Sequence, residues 1–430
     1  MLLNFEHLLN NNYMNHYSRG KVSIGKHIAN MRFSDYGLAL SKFIALVPFA
    51  TLFLMPIFNR LGWANVNEAP GFYVALLGVL MAGRNFISKI HPIEVILFFL
   101  VAFAIYVSPS IYPLSEPFVR EHYASFVWMT IPFYFIGKCL NYEQDKLLIV
   151  VFTRVGFFLL LFYELFLFQG FFAVSDPDVD VDFSDEQMTV AYQFLFCVMY
   201  ELIYGIFEQS KLDCYLSYIG ILVILFMGAR GPVVSLLLFI VGFFLFFFNY
   251  KSYKTLKRVL LLVLGGVVYV FMTPLLLGFS YLSSSIGLST RVFDSIITKE
   301  LLESNGRDEI FDELMKAISN DTNGWGYGLG GDRLFTSHVY SHNFEIEILV
   351  SFGVILGGFL LFLLAMFFFR VIFKTKGTDT CVFWYALFCF GFLPLQFSST
   401  WINSPEFFLL IGYCVSVLSS PKHRLAALNT

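Results

Sequence analysis

Long apolar segments recur along this 430-residue chain and are separated by shorter polar connections. A transmembrane helix needs roughly 17 to 25 mostly apolar residues to cross the hydrocarbon core of a bilayer. The pattern therefore predicts twelve spans, of which the second is the least well defined because its apolar run is short and follows glycine and proline. The predicted boundaries are 37–58, 68–83, 92–108, 120–137, 147–172, 189–208, 212–229, 231–249, 258–279, 350–373, 381–399 and 404–420.

Lysine and arginine are distributed unevenly between alternate connections. One set of segments holds 19 of these residues, whereas the alternate short connections hold only Arg60, Arg120 and Arg230. Short loops on the cytoplasmic side of a membrane carry an excess of Lys and Arg. Both termini are therefore predicted to be cytoplasmic, and the long polar stretch after span nine is predicted to be external.

The predicted organisation follows from these spans and their orientation. A cytoplasmic segment at 1–36 precedes spans 1–9 within 37–279, and an external loop with short helices occupies 280–349. Spans 10–12 then lie within 350–420, and a cytoplasmic tail covers 421–430. Because the rest of the chain suits lipid, the external loop is where water-facing chemistry has room to occur.

Composition supports the same fold class. The chain has 57% hydrophobic residues, 14% charged residues and a mean hydropathy of +0.71, which excludes a soluble globular domain. The sequence therefore predicts an all-α, polytopic helical membrane protein. A net charge of -3 gives no reason to expect nucleic acid as a partner. All six cysteines fall in or beside predicted spans, so disulfides on the outer face are not expected.

Two charged residues, Arg154 and Glu201, lie within spans five and six at similar depths from the cytoplasmic end. A buried ion pair that joins the two helices is one interpretation, and a role in substrate passage is the other.

Two short motifs resemble ligand-binding loops. The acidic run Asp176–Asp182 alternates carboxylates as a calcium loop does, but it lacks the glycine and the final glutamate of that motif, which favours a solvated loop. A glycine series occupies positions 324, 326, 328, 330 and 331. It predicts either a tight turn or a nest of backbone amides that binds an anion.

Several arginines lie on the predicted outer side. Arg230 occupies a short turn, Arg291 lies in the large loop, and Arg307 begins an amphipathic helical pattern. Arginine binds phosphate oxygens through two parallel hydrogen bonds, so converging arginines at a membrane surface suit a lipid diphosphate. Snorkelling of these side chains, or local salt bridges, is the alternative. Arg120 is a further substrate-binding candidate on the same side.

His342 stands where the external loop returns to apolar sequence. An imidazole at this interface can accept the proton of a sugar hydroxyl near neutral pH. Alternatively, His342 and Asn343 cap a helix. Gly353 predicts a bend between a short interfacial helix and the tenth span.

The order of these motifs resembles a known family. Gly228-Ala229-Arg230-Gly231 in an outer turn is followed by Gly306-Arg307 at a helix start and by the glycine series. His342-Asn343, Glu347, Gly353 and Gly357-Gly358 come next. This arrangement, mainly within 225–360, is similar to the O-antigen polymerase and O-antigen ligase superfamily, and it implies a fold of the C-type glycosyltransferase kind.

The resemblance implies a function and roles for residues. The expected enzyme is a polymerase that joins oligosaccharide units carried on undecaprenyl diphosphate at the outer face of a bacterial inner membrane. His342 is the expected base, and Arg230 with Arg307 would stabilise the leaving diphosphate. Arg291, Arg120, Asn343 and Glu347 are the expected substrate-binding residues. No metal or other cofactor is expected, and a chain-length regulator and a flippase are candidate protein partners.

Other functions stay open at this point. An O-antigen ligase would use the same residues and transfer a finished glycan to a terminal acceptor. A flippase or transporter of lipid-linked oligosaccharides would place charged residues at several depths along a central cavity. A purely structural membrane scaffold would leave the outer arginines and histidine without a role.

Overall fold

The computed structural model describes residues 90–168, 181–227, 229–243, 277–278, 280–282, 297, 307–336, 341–397 and 399–420. Predicted spans one and two, almost all of span nine, the N-terminal segment and the C-terminal tail lie outside the described residues. The α-helices among the described residues are α1 (Pro92–Ile111), α2 (Glu116–Ser125), α3 (Ile131–Cys139), α4 (Tyr142–Phe162), α5 (Val181–Phe207), α6 (Lys211–Phe226), α7 (Arg230–Gly242), α8 (Arg307–Asn320), α9 (Phe344–Thr375), α10 (Asp379–Gly391) and α11 (Pro405–Ser419).

The regular secondary structure of the described residues is entirely helical, as predicted. Helices α1 to α7 occupy predicted spans three to eight, with α2 and α3 sharing span four, and α9 to α11 occupy spans ten to twelve. Within the described part, five helical segments are long and apolar enough to cross a membrane. They are Pro92–Ile111, Tyr142–Leu165, Val190–Phe207, Phe344–Thr375 and Asp379–Gln396.

Large apolar side chains cover much of the outside of these helices. The relative exposure of Phe99 is 71%, that of Phe359 is 56% and that of Phe373 is 72%. A soluble monomer rarely exposes extended apolar surface of this kind, because its contact with water is unfavourable. A lipid environment removes that cost, so the surface is compatible with a membrane protein.

Several helix boundaries differ from the predicted spans for local reasons. Helix α5 begins at Val181, eight residues earlier than expected. Helix α10 ends at Gly391, because Pro394 cannot continue an α-helix, and a 3₁₀ turn at Leu393–Gln396 follows. Arg230 is the first residue of α7 rather than part of a turn.

Helix α5 forms the centre of the core and packs against α4, α6, α7 and α10. Its Phe194, Phe196 and Tyr200 side chains are almost completely buried. The Phe196 ring lies 4.7 Å from that of Phe390 on α10. Aromatic contacts of this kind contribute large buried areas, and they fix the helices around α5.

Helices α3 and α11 approach each other through glycines. A Cβ atom at Gly137 would lie 2.1 Å from the Leu409 carbonyl oxygen, and one at Gly412 would lie 1.9 Å from the Tyr134 carbonyl oxygen. Small residues at a helix interface allow this backbone contact, which is frequent in membrane proteins because van der Waals packing drives helix association in lipid.

Arg154, whose side chain is 33% exposed, forms an ion pair with a buried carboxylate, but its main partner is not the one predicted. Its Nε and Nη2 atoms each donate to Asp213 at 2.7 Å, whereas the nearest Glu201 oxygen lies 3.9 Å from Nε. Thr153 donates a 2.8 Å hydrogen bond to Glu201. The planar guanidinium fits both oxygens of one carboxylate, and Asp213 in the first turn of α6 presents them. The cluster therefore joins α4, α5 and α6.

The two ends of the helix bundle carry different chemistry. At one end, Glu94 at the start of α1 pairs with Lys138 on α3, and Lys146 on α4 pairs with Glu208 after α5. Lys374 donates to the Leu418 carbonyl at 2.7 Å at the same end. These lysines belong to the set that the sequence predicts to be cytoplasmic. The opposite end holds the start of α9 and the glycine series. Because the sequence predicts this end to be external, we name it the outer rim.

Helix α9 is broken at Gly353, as predicted. The backbone of Gly353 has φ 73°, which interrupts the helical hydrogen bonding. The carbonyls of Val350 and Ser351 accept hydrogen bonds from the amides of Tyr327 and Gly328, at 2.9 and 3.1 Å. The break therefore anchors the glycine series against α9.

We expect Gly353→Ala to lower the free energy of unfolding by about 1–3 kcal/mol, because alanine at this positive φ is strained. Its Cβ would also lie 2.0 Å from the Gly324 carbonyl oxygen. Gly358→Ala is the matched control on the same helix, since a Cβ there meets nothing within 4 Å. It should stabilise by about 0.5–1 kcal/mol. Thermal unfolding of purified variants in detergent measures both, and equal stability of the two variants would contradict the role of Gly353.

Candidate functional site

The outer rim is formed by the ends of several helices. The start of α9, the start of α7 and the turns between α10 and α11 meet there. Helix α2 and the 3₁₀ turn Gly331–Leu334 form its other side. His342 and Arg230, which are remote in sequence, both lie on this rim.

His342 has a backbone conformation that is uncommon for a residue with a side chain. Its φ is 50°, in the left-handed region. Such conformations persist when the surroundings hold them in place, and they concentrate at functional sites. Here the carboxylate of Asp332 accepts a 2.8 Å hydrogen bond from the amide of Ser341, and the Ser341 hydroxyl donates to the Asn343 carbonyl at 3.0 Å. The residues on both sides of His342 are thus fixed.

The imidazole of His342 is also oriented. Its Nδ1 atom lies 3.1 Å from the carbonyl oxygen of Phe397. A carbonyl only accepts hydrogen bonds, so Nδ1 carries the proton and Nε2 is the basic nitrogen of the neutral ring. This is the arrangement that a general base requires, because a second group fixes its tautomer.

Arg230 is brought to the same place by close packing of the next residue. A Cβ at Gly231 would lie 2.0 Å from the Tyr192 hydroxyl oxygen and 3.6 Å from the Cβ of Phe397. A larger residue here would displace the Tyr192 side chain. The start of α7, where Arg230 lies, and the imidazole of His342 therefore both border Phe397.

Asn343 caps α9. Its side-chain oxygen accepts a 3.0 Å hydrogen bond from the amide of Ile346, and its amide nitrogen lies 3.4 Å from the side-chain oxygen of Gln396. The capping interpretation of Asn343 is therefore confirmed. Capping uses the side-chain oxygen, and the amide nitrogen lies beside Gln396.

Glu347 is buried, and its carboxylate accepts a hydrogen bond from the Thr400 hydroxyl. A direct contact of Glu347 with substrate would require this bond to open. In the described structure the pair instead joins α9 to the segment before α11.

The remaining predicted arginines have different surroundings. Arg307 begins α8, as expected from its amphipathic pattern. Leu314 of that helix packs on Ile346 and Val350 of α9, so α8 rests on the segment that follows His342. Arg120 is 82% exposed and pairs with Glu116 at 3.1 Å. Arg291 and residues 176–180 of the acidic run lie outside the described residues.

The glycine series forms a turn whose amides are already bonded. The Asp321 carboxylate accepts hydrogen bonds from the amides of Gly324 and Gly326, at 3.1 and 2.7 Å. The next two amides bond to α9, as described above. This carboxylate occupies the place that an external anion would take, so the structure favours the tight turn over the anion-binding nest.

Sequence reasoning missed Asp332 and Arg333 beside the glycine series. Asp332 is 2% exposed, and burial raises the pKa of its carboxyl, while the Ser341 amide and the Arg333 charge oppose that increase. Arg333 stacks over the Phe118 ring at 4.7 Å and contacts His122. The position of Arg333 in the predicted external loop could have identified it as a candidate site residue. His122 lies at the start of an apolar run, and nothing in the sequence around it indicates a functional role.

Among the residues that the structure describes, no group of three or more His, Cys, Asp or Glu side chains could hold a metal ion. The outer rim carries the oriented imidazole of His342, the guanidinium of Arg333 and the start of α7 with Arg230. Such a set can accept a proton and stabilise negative charge.

Comparisons of the chain with protein-family models, with curated proteins and with solved structures found no match. The chemistry of the outer rim is therefore judged from its own residues and geometry, and the resemblance to the O-antigen polymerase and ligase superfamily stays a prediction from the sequence motifs.

Proposed function

We propose that the protein is a membrane glycosyltransferase that polymerises oligosaccharide units carried on undecaprenyl diphosphate at the outer face of a bacterial cytoplasmic membrane. The observation that carries the proposal is the strained, oriented His342 beside the start of α7, where Arg230 lies. A purely structural scaffold would not require a histidine side chain that is fixed in orientation at a helix junction.

In the proposed reaction, an acceptor sugar hydroxyl attacks the anomeric carbon of the donor. A glycosidic C–O bond forms, and the bond between that carbon and the diphosphate oxygen breaks. Undecaprenyl diphosphate leaves with the electron pair, and His342 Nε2 takes the hydroxyl proton. The Phe397 carbonyl stabilises the imidazolium through Nδ1–H.

The start of α7 would supply the positive charge that stabilises the leaving diphosphate. Arg230 supplies a guanidinium, and the helix begins after Ala229, whose methyl side chain cannot cap the first amides. A helix N-terminus of this kind favours an anion. Arg307 at the start of α8 and Arg291 would contribute further charge from the external loop.

The proposal includes twelve spans with both termini in the cytoplasm. It is supported by the lysine pairs gathered at the end of the bundle opposite the outer rim. A chain-length regulator and a flippase are proposed protein partners, since polymerisation needs translocated substrate and a limit to chain growth.

A deletion strain tests the proposed function against its alternatives. Single repeat units that accumulate on the lipid carrier support a polymerase. Full-length polymer left on the carrier would instead identify a ligase, and failure of outward translocation would identify a flippase.

Labelling of single cysteines tests the proposed topology. Trp325→Cys lies on the outer rim, where Trp325 is 62% exposed, and Lys376→Cys lies at the other end of α9. In a background without the native cysteines, an impermeant maleimide should label the first in intact cells and the second only after permeabilisation. The reverse pattern would place the candidate site in the cytoplasm and contradict the proposal.

We expect His342→Gly to lower donor turnover by about 10²- to 10⁴-fold, because it removes the base. Glycine accepts the positive φ without strain, so the protein should stay folded and lose only about 1 kcal/mol with the hydrogen bond to the Phe397 carbonyl. Gln209→Gly is the matched control, since Gln209 also has a positive φ, 55°, but lies after α5 at the end of the bundle opposite the outer rim. Turnover by His342→Gly equal to that of the control would show that the imidazole is not the base.

Arg230 should act through both its charge and its fork geometry. We expect Arg230→Ala to reduce turnover by about 10²- to 10³-fold, and Arg230→Lys to recover only part of the loss. For Arg307 we likewise expect the Ala variant to have the lowest turnover and the Lys variant to have turnover between that of the Ala variant and that of the wild type.

The assay is donor consumption by purified variants in detergent with EDTA present, alongside thermal unfolding. Arg370→Ala, an exposed arginine near the inner end of α9, should retain full turnover. Full turnover by Arg230→Lys would contradict the proposed bidentate contact between Arg230 and the diphosphate. Loss of wild-type turnover in EDTA would contradict a metal-independent reaction.

A further inference from the structure

Arg333 is held in place on the outer rim before any ligand binds. Gly330 has φ 69°, and a Cβ there would lie 2.5 Å from Cγ of Phe118. Gly328 makes a similar approach to Tyr112. The loop that carries these glycines therefore packs closely against the junction of α1 and α2. In this position the Arg333 guanidinium lies 4.7 Å from the centre of the Phe118 ring. Stacking of this kind fixes a side chain that is otherwise mobile.

His122 completes one side of the cluster. It is 7% exposed, and its Nε2 atom lies 3.0 Å from Nη2 of Arg333. Arginine only donates hydrogen bonds, so Nε2 must be the acceptor and the ring is neutral while the contact lasts. The positive charge of this cluster therefore belongs to Arg333.

Glu121 supplies the opposing charge from an exposed position. Its Oε2 atom accepts a 3.2 Å hydrogen bond from Nη1 of Arg333, but its side chain is 61% exposed, compared with 19% for Arg333. An ion pair with one solvated partner contributes little to stability. The Nε atom of Arg333 is buried and makes no hydrogen bond to a described residue. An incoming anion can therefore displace Glu121 at low cost and find a guanidinium already in position.

The balance of charge selects the kind of anion. One guanidinium neutralises one negative charge, and the buried carboxyl of the adjacent Asp332 disfavours a second. A diphosphate would bring at least two charges. A single carboxylate matches both the charge and the group that occupies the position now, which is the carboxylate of Glu121.

We propose that Arg333, held in position by His122 and Phe118, binds the carboxylate of an acidic sugar in the glycan substrate, and that Glu121 occupies this position when the substrate is absent. The inference rests on the proposed glycosyltransferase function. It separates two anion sites on the outer rim, with the diphosphate near Arg230 and the sugar carboxylate at Arg333.

Titration of the purified full-length protein with glucuronate, followed by saturation-transfer NMR, tests the proposal. Arg333→Met should weaken glucuronate binding by about tenfold or more, because it removes a charge-assisted contact. Glu121→Gln should tighten binding several-fold, because it removes the competing carboxylate. Lys316→Met, which removes an exposed cation on nearby α8, is the charge-matched control and should leave binding unchanged.

Glucose and inorganic pyrophosphate are the comparison ligands. Glucose should show no dependence on Arg333. Pyrophosphate binding that is tighter than glucuronate binding and is lost in Arg333→Met would overturn the assignment in favour of a phosphate group. Glucuronate binding that is unaffected by Arg333→Met, or weakened by Glu121→Gln, would show a structural ion pair instead.

If Arg333→Met does not fold, Glu121→Gln decides alone, since only a displaced competitor predicts tighter binding. This assay needs no turnover. Its failure is therefore distinguishable from failure of the proposed polymerase, which donor consumption measures.

Discussion

The left-handed backbone of Gly353 is the constraint on which the outer rim depends. It ends the first part of α9 and leaves the Val350 and Ser351 carbonyls to bond the amides of the glycine series. The loop held in this way carries Asp332, whose carboxylate fixes the amide before His342. A side chain at Gly353 would collide with the Gly324 carbonyl. The geometry of the candidate base is thus linked to a helix break eleven positions later in the chain.

Desolvation of charge explains the difference between the two arginine clusters. Arg154 pairs with Asp213, whose side chain is fully buried, and a second buried carboxylate, Glu201, lies beside it. Removing Arg154 would leave these buried carboxylates without a compensating charge, so the cluster stabilises the helix packing and does not readily exchange partners. Arg333 has an exposed partner, which water can replace. Similar residue types therefore serve packing in one place and suit binding in the other.

Hydrophobic length and local backbone chemistry allowed much of the described fold to be predicted. Apolar runs located α1 to α7 and α9 to α11, and Gly353 and Asn343 were recognised as a bend and a possible cap because both effects are local. The partners of Arg154 and of Arg333 depend on which helices become neighbours, and no local pattern contains that information. The glycine series was ambiguous for the same reason, since its amides bond to Asp321 and to α9.

We propose that the outer rim catalyses glycosyl transfer from a lipid diphosphate. Reconstitution of the wild-type protein in proteoliposomes with a labelled lipid-linked repeat unit measures this directly. The account predicts that undecaprenyl diphosphate is released as lipid-linked glycans of two or more repeat units appear, with one diphosphate released for each new glycosidic bond. Transbilayer movement of the donor without release of diphosphate would contradict it.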